Sequence, residues 1–137
     1  MTTGGAQYTV GLGCDRGVAL ETVHDAVQAA LMLAGARAEQ VTMAASITIK
    51  QDEAALLALA QKLGWTLVFY PPEKLAQVAV PNPSETVRKY TGTPSVSEAA
   101  ALLAAGPDTS MAALVVEKHK HRGADGRNAT VSIARKD

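Results

Sequence analysis

The sequence predicts a three-layer α/β/α fold around a mixed, roughly five-stranded sheet that ends in a C-terminal β-hairpin. Apolar, β-branched runs alternate with stretches of helical spacing, the pattern of strands crossed over by helices. The 137 residues are 47% hydrophobic but only 4% aromatic. Small aliphatic side chains must therefore fill the interior, as they do where helices cover a parallel sheet. The last two apolar runs are separated only by a polar, glycine-containing segment, which marks a hairpin. The length suits a single domain, 1–137, with residues 1–7 expected as a flexible tail.

Each element follows from local chemistry. Tyr8 to Leu12 reads as a short buried strand, and from Val18 onward Leu20, Val23, Val27, Ala30 and Leu31 form one helical stripe that Gly35 ends. Val41 to Ile49 is a second β-branched run. The segment QDEAALLALAQKLG places Leu56, Leu59, Ala60 and Leu63 on one face, with Asp52 as its expected N-cap and Gly64 past its end. WTLVFY is the third strand, stopped by Pro71 and Pro72, and EKLAQV offers two helical turns at most. Pro81, Pro83, Gly92 and Pro94 interrupt VPNPSETVRKYTGTP, which reads as a long, functional loop. VSEAAALLAAG is a helix so rich in alanine and leucine that it must be almost wholly buried. AALVVEK and ATVSIARK then form the hairpin, joined by HKHRGADGRN as a long loop.

Composition excludes several functions. Thirteen basic and thirteen acidic residues cancel, so no global field draws the chain to nucleic acid or to an anionic membrane. Cys14 is the only cysteine, which excludes an internal disulfide and suits a reducing compartment. The first residues lack the pattern of a secretion signal, and no apolar run reaches the roughly 20 residues of a membrane span. The expectation is a cytoplasmic protein with no cofactor and no metal.

Ligands of open α/β sheets bind beyond the carboxyl ends of the parallel strands. That rule selects Cys14, Arg16 and Gly17 after the first strand, Ser46 and Lys50 at the second, and Lys118 and His119 at the fourth. Which end of the antiparallel hairpin joins them stays open. GLGCDRG resembles a dinucleotide fingerprint, but Arg16 stands where the third glycine is expected, and SITIK ends the second strand without the acidic residue that holds a ribose. A nucleotide-binding regulatory module is the reading this motif would support. The start of the first helix lacks a hydroxyl or carboxamide cap, so its amides are expected to be free for an anion.

Cys14 reads either as a nucleophile activated by Arg16 or as a small buried thiol in a tight turn, and the second reading carries more weight. His119 and His121 lack a third metal ligand. The KHKHR run, 118 to 122, reads as a solvated hairpin tip or as a clamp for carboxylates. Ser84 reads as the cap of a short helix, and Glu98 needs a partner or an outward face near its helix N-terminus.

Taken in register, GLGCDRG (11–17), SITIKQDEAALLALA (46–60), PSETVRKYTGTPSVSEAAAL (83–102), VVEKHK and ATVSIAR resemble the cobalamin-biosynthesis family that comprises the stand-alone CobE protein and the C-terminal domain of CbiG. The chain is most similar to the stand-alone members. Asp15 and Val18 depart from the family's usual second basic residue and hydroxyl. The resemblance implies work on an early, polycarboxylate precorrin-type tetrapyrrole, in the aerobic route, with other corrin-pathway enzymes as the further partners it suggests. It also implies Cys14, Arg16, Gly17, Ser46, Lys50, Ser84, Glu98 and Lys118 as substrate-binding residues. A lactone-opening activity like that of cobalt-precorrin-5A hydrolase is the alternative it carries, with Ser46, Lys50 and Glu98 in acid-base roles.

Overall fold

The computed structural model describes residues 5–136. Its central strand, β1 (Gln7–Cys14), pairs in parallel with β2 (Val41–Ile47), which pairs in parallel with β3 (Leu67–Tyr70). On the other side β1 pairs antiparallel with β5 (Asn128–Lys136), and β5 antiparallel with β4 (Leu114–Arg122). The sheet order is β3-β2-β1-β5-β4. Of the expected tail, residues 1–4 lie outside the described residues, and Gln7 is already paired with Lys136.

Parallel crossovers are right-handed as a rule, so two steps in one direction place α1 (Leu20–Ala34) and α2 (Ala54–Leu63) on one face of the sheet. The chain then reverses direction across the sheet to reach β4, which carries α5 (Val96–Ala105) to the opposite face. Buried clusters therefore form on both faces of the sheet. Val23, Val27 and Leu31 of α1 meet Leu56 and Leu59 of α2 over Val10, Leu12 and Val131, while Val96, Ala99 and Ala100 of α5 cover Ala45 and Ile47.

The second cluster depends on small residues. A Cβ at Gly11 would lie 1.8 Å from the Ser97 carbonyl oxygen and 2.7 Å from the Ala101 nitrogen, so α5 rests directly on the β1 backbone. Thr9 Oγ1 donates to the Ala101 carbonyl at 2.7 Å across the same contact. The first glycine of GLGCDRG is there for helix packing.

Four sequence expectations change. The second strand stops at Ile47, and Thr48–Lys50 form a 3-10 turn. Glu53, not Asp52, is the N-cap of α2, because the Asp52 carboxylate is held by Arg16 at 2.8 Å. The long loop before α5 contains a seven-residue helix, α4 (Glu85–Thr91), after the short α3 (Pro72–Leu75), and Ser84 is its cap, as its place in the sequence suggests, the hydroxyl accepting from the Val87 N–H at 3.2 Å. The KHKHR run is not a hairpin loop: β4 continues through Arg122, and its polarity is that of an edge strand whose exposed face stays solvated.

Candidate functional site

β4 is antiparallel to β5 and so runs in the direction of β1, which brings its C-terminal end to the carboxyl edge of the parallel strands. At that edge a cleft of about 450 Å³ opens. Its floor is the end of β1 and the start of β5, one wall is the 48–50 turn, another is β4, and the roof is α4 with the first turn of α5. This is the topological switch point of the sheet, where the chain leaves β1 in one direction and returns from the other.

Arg16, Lys50, Lys118 and Lys120 line this cleft together with Cys14 and Asp15. They differ in how far the protein has already used them. The Arg16 guanidinium pairs with Asp52 at 2.8 Å and Glu53 at 3.4 Å and donates to the Ile49 carbonyl. Its own charge is largely neutralised, and Asp52 beside it is held below the usual carboxylate range by the bond to Arg16. Lys118 Nζ donates to the Asn82 carbonyl at 3.1 Å. Lys50 and Lys120 have no ion-pair partner among the described residues. The cleft therefore presents three lysine ammonium groups to an incoming anion.

The turn after β1 holds carboxylates, but they are the protein's own. The Gly17 N–H donates to both Glu53 oxygens at 3.2 and 3.3 Å, from a backbone with φ of +77°. The Ala19 N–H donates to Asp125 at 2.8 Å, and the Thr22 hydroxyl donates to the same carboxylate at 2.9 Å. Asp125 sits in the β4–β5 turn and ties the start of α1 to the hairpin through these two bonds. The two amides that precede the first helical turn, those of Gly17 and Ala19, are thus occupied by the protein's own carboxylates and not open to a ligand. Asp15 accepts from the Asn128 backbone N–H at 2.8 Å, and Arg127 Nε donates to the Arg16 carbonyl at 3.0 Å. These bonds fasten the turn to the hairpin.

The remaining sequence candidates divide. Cys14 lines the cleft, but burial pushes its thiol up to about 11, against the opposing pull of Lys50, so it is protonated and a poor nucleophile at neutral pH. Ser46 does not reach the cleft. It is fully buried, donates to the Leu12 carbonyl at 2.7 Å, and by strand alternation faces away from Ile47, which lines the cleft. Ser84 is occupied in capping α4. Glu98 does not face outward: it is fully buried, accepting from the Asn82 backbone N–H at 3.2 Å and from Asn82 Nδ2 at 2.6 Å. Glu98 thus holds the loop that brings Asn82 to Lys118. Of the three acid-base candidates, Lys50 alone is in the cleft.

Sequence reasoning missed Asn82, Asp125 and Tyr90, and reached Lys120 only as a member of the KHKHR run, without singling it out. Lys120 follows from Lys118 once KHKHR is read as a strand, because residues two apart share a face. Asn82, between two prolines, and Tyr90, an aromatic in the polar run ETVRKYT, carried no periodic signal.

Together these features define an α/β/α protein with a lysine-rich cleft at the carboxyl edge of its parallel strands. The chain belongs to the family described as Cobalamin synthesis G C-terminus, whose model matches residues 8–134, and so to a family of cobalamin-biosynthesis proteins. It is 36% identical over 125 residues to a cobalt-precorrin-5A hydrolase of Priestia megaterium, a match that covers 91% of this chain and 31% of that protein. The chain thus spans about a third of the hydrolase. It is 38% identical over 119 residues to Protein CobE of a Sinorhizobium species, covering 85% of this chain and 75% of that one. The crystal structure of a CobE from the cobalamin pathway superposes with a TM-score of 0.76 at 30% identity, covering 95% of this chain and 90% of the other. Among the described residues, no helix is long and apolar enough to cross a membrane.

Proposed function

We propose that the chain binds an early, polycarboxylate tetrapyrrole of the precorrin type in the cleft at the carboxyl edge, as a handling protein of the aerobic cobalamin route in the cytoplasm. The observation that carries this reading is the convergence of Lys50, Lys118 and Lys120, from two distant segments of the chain, on one cleft. A ring fringed with acetate and propionate groups needs separated cations, whereas a phosphate needs one compact nest. Each ammonium–carboxylate contact contributes between the ~1 kcal/mol of a surface pair and the ~3 kcal/mol of a well-aligned charge-assisted bond. Membership of a cobalamin-biosynthesis family supports the ligand class.

Co-expression with the upstream pathway enzymes tests the reading. The purified protein is expected to carry a bound tetrapyrrole chromophore, and the Lys50→Gln, Lys118→Gln, Lys120→Gln triple variant to emerge colourless while remaining folded. Colourless wild-type protein would refute it.

A lactone-opening hydrolase is the second reading, favoured by the 36% identity to the Priestia megaterium enzyme. It would rest on Lys50, since Ser46 and Glu98 are buried and bonded to the protein. Unchanged turnover of the lactone in a Lys50→Gln variant would remove that assignment. The nucleotide-binding reading has lost its motif, because Gly11 is used for α5 packing and Gly17 for binding Glu53. The absence of a calorimetric signal with dinucleotides is expected.

A further inference from the structure

The cleft has an apolar lip as well as a basic interior. Tyr90 of α4 is 73% exposed, and Ile49 of the facing turn is 44% exposed, yet both line the cleft. The chain's other aromatic residues are used in packing: Tyr8 and Trp65 are buried, and Phe69 and Tyr70 pack against the core clusters. Tyr90 is therefore the one aromatic ring among the described residues that is held out toward the cleft without a core to join.

The helix that carries it is built to shift. None of the seven residues of α4 is buried, and only Val87 packs against the core under α5. Its attachments are at its ends: the Ser84 N–H on the Pro94 carbonyl at 2.8 Å, the Thr91 hydroxyl on the Thr93 carbonyl at 2.9 Å, and Gly92, whose φ of +84° closes the helix. A segment with exposed side chains and end tethers has a low local opening free energy. The cleft of about 450 Å³ is open at its lip, so a ring seated on the lysines lies against Tyr90 and Ile49, and the weakly packed α4 is the wall best able to adjust to it.

We infer that Tyr90 is the residue that recognises the flat face of the tetrapyrrole, stacking on it opposite Ile49 while α4 moves as a flap over the ring. This rests on the tetrapyrrole reading above and adds to it the contact that separates a conjugated macrocycle from any other polycarboxylate. The lysines read the acid fringe and Tyr90 reads the plane.

Uroporphyrin, a stable octacarboxylate porphyrin, serves as the probe, with affinity followed by its absorbance and by salt titration. Tyr90→Ala is expected to weaken binding about tenfold, in line with an aromatic contact of ~1.4 kcal/mol, and Tyr90→Phe to keep wild-type affinity. The salt dependence of binding is expected to be the same in all three proteins, because the lysines are untouched. Amides of α4 are expected to gain protection from hydrogen exchange when porphyrin is added. Equal affinity of wild type and Tyr90→Ala would overturn the inference while leaving the tetrapyrrole reading intact. Loss of both affinity and salt dependence in Tyr90→Ala would also overturn it, since Tyr90 would then shape the cleft rather than stack. A wild-type protein that binds no uroporphyrin would also overturn the stacking inference, whereas the tetrapyrrole reading stands or falls separately on the chromophore carried after co-expression.

Discussion

Gly11 and Gly13 stand two residues apart on β1 and have opposite tolerances. At Gly11 an added Cβ collides with the α5 backbone, which cannot give way without lifting the helix off the sheet, whereas at Gly13 the nearest atom is the Val96 Cβ at 3.8 Å, an ordinary contact. Gly11→Ala is expected to destabilise by about 3 kcal/mol or more, and Gly13→Ala by less than about 1 kcal/mol, both read from urea unfolding midpoints. Cys14, next along the same strand, gives a pH signature. With its thiol raised to about 11 by burial, the native protein should react with iodoacetamide far more slowly at pH 8 than the unfolded chain, and the rate should climb only as pH approaches 11. The linkage has a definite sign: the folded-state value exceeds the unfolded one, so this contribution to stability is complete below about pH 9 and is lost as pH rises toward 11. A native reaction rate that already plateaus near pH 8 would contradict the buried thiol.

At the scale of elements, periodicity made the helices α1, α2 and α5 readable because each buries a face or nearly all of itself. It could not reveal α4, which buries nothing and is held by Ser84 and Gly92 at its ends. The same distinction governs the starts of the helices. Glu53 and Asp125 serve positions 36 and 106 residues away, and no local pattern encodes such partners. Asp125→Asn is expected to lower the thermal midpoint by weakening the start of α1. The Asp125 carboxyl is held below its ordinary value, chiefly by the Ala19 N–H, so its contribution is present above about pH 4 and is lost as pH falls further. The difference in midpoint between wild type and Asp125→Asn should therefore be full at pH 6 and should narrow toward pH 2. Glu98 does comparable work for the 78–84 loop. Glu98→Ala leaves both Asn82 donors without this acceptor, an expected loss of about 1–3 kcal/mol, with faster proteolysis between Val80 and Ser84.

For the whole molecule, the layer architecture was legible because composition and element order allow few ways to cover both faces of a sheet, but the direction of β4 was not. Whether Lys118 and Lys120 belong to the cleft depends on the sheet order, in which β5 inserts beside β1 and turns β4 back toward the carboxyl edge. Pairing of that kind is a property of register and not of any local run of residues. Arg16 shows the converse: its place in the chain was right, yet Asp52 and Glu53 absorb its charge. The charge available to a ligand is thus three lysines in a molecule whose total formal charge is zero. At physiological ionic strength fields are screened within about 8 Å, so association with an anionic ring should depend on these lysines and not on long-range steering. Uroporphyrin affinity is expected to fall with added salt in the wild type and to lose most of that dependence when Lys50, Lys118 and Lys120 are all glutamine. Arg16→Gln should instead leave the salt dependence nearly unchanged while lowering stability, because it strands Asp52 and Glu53 beside one another. A salt dependence that follows Arg16 rather than the lysines would mean that the anion enters by displacing Asp52, and the binding surface would have to be redrawn around the turn after β1.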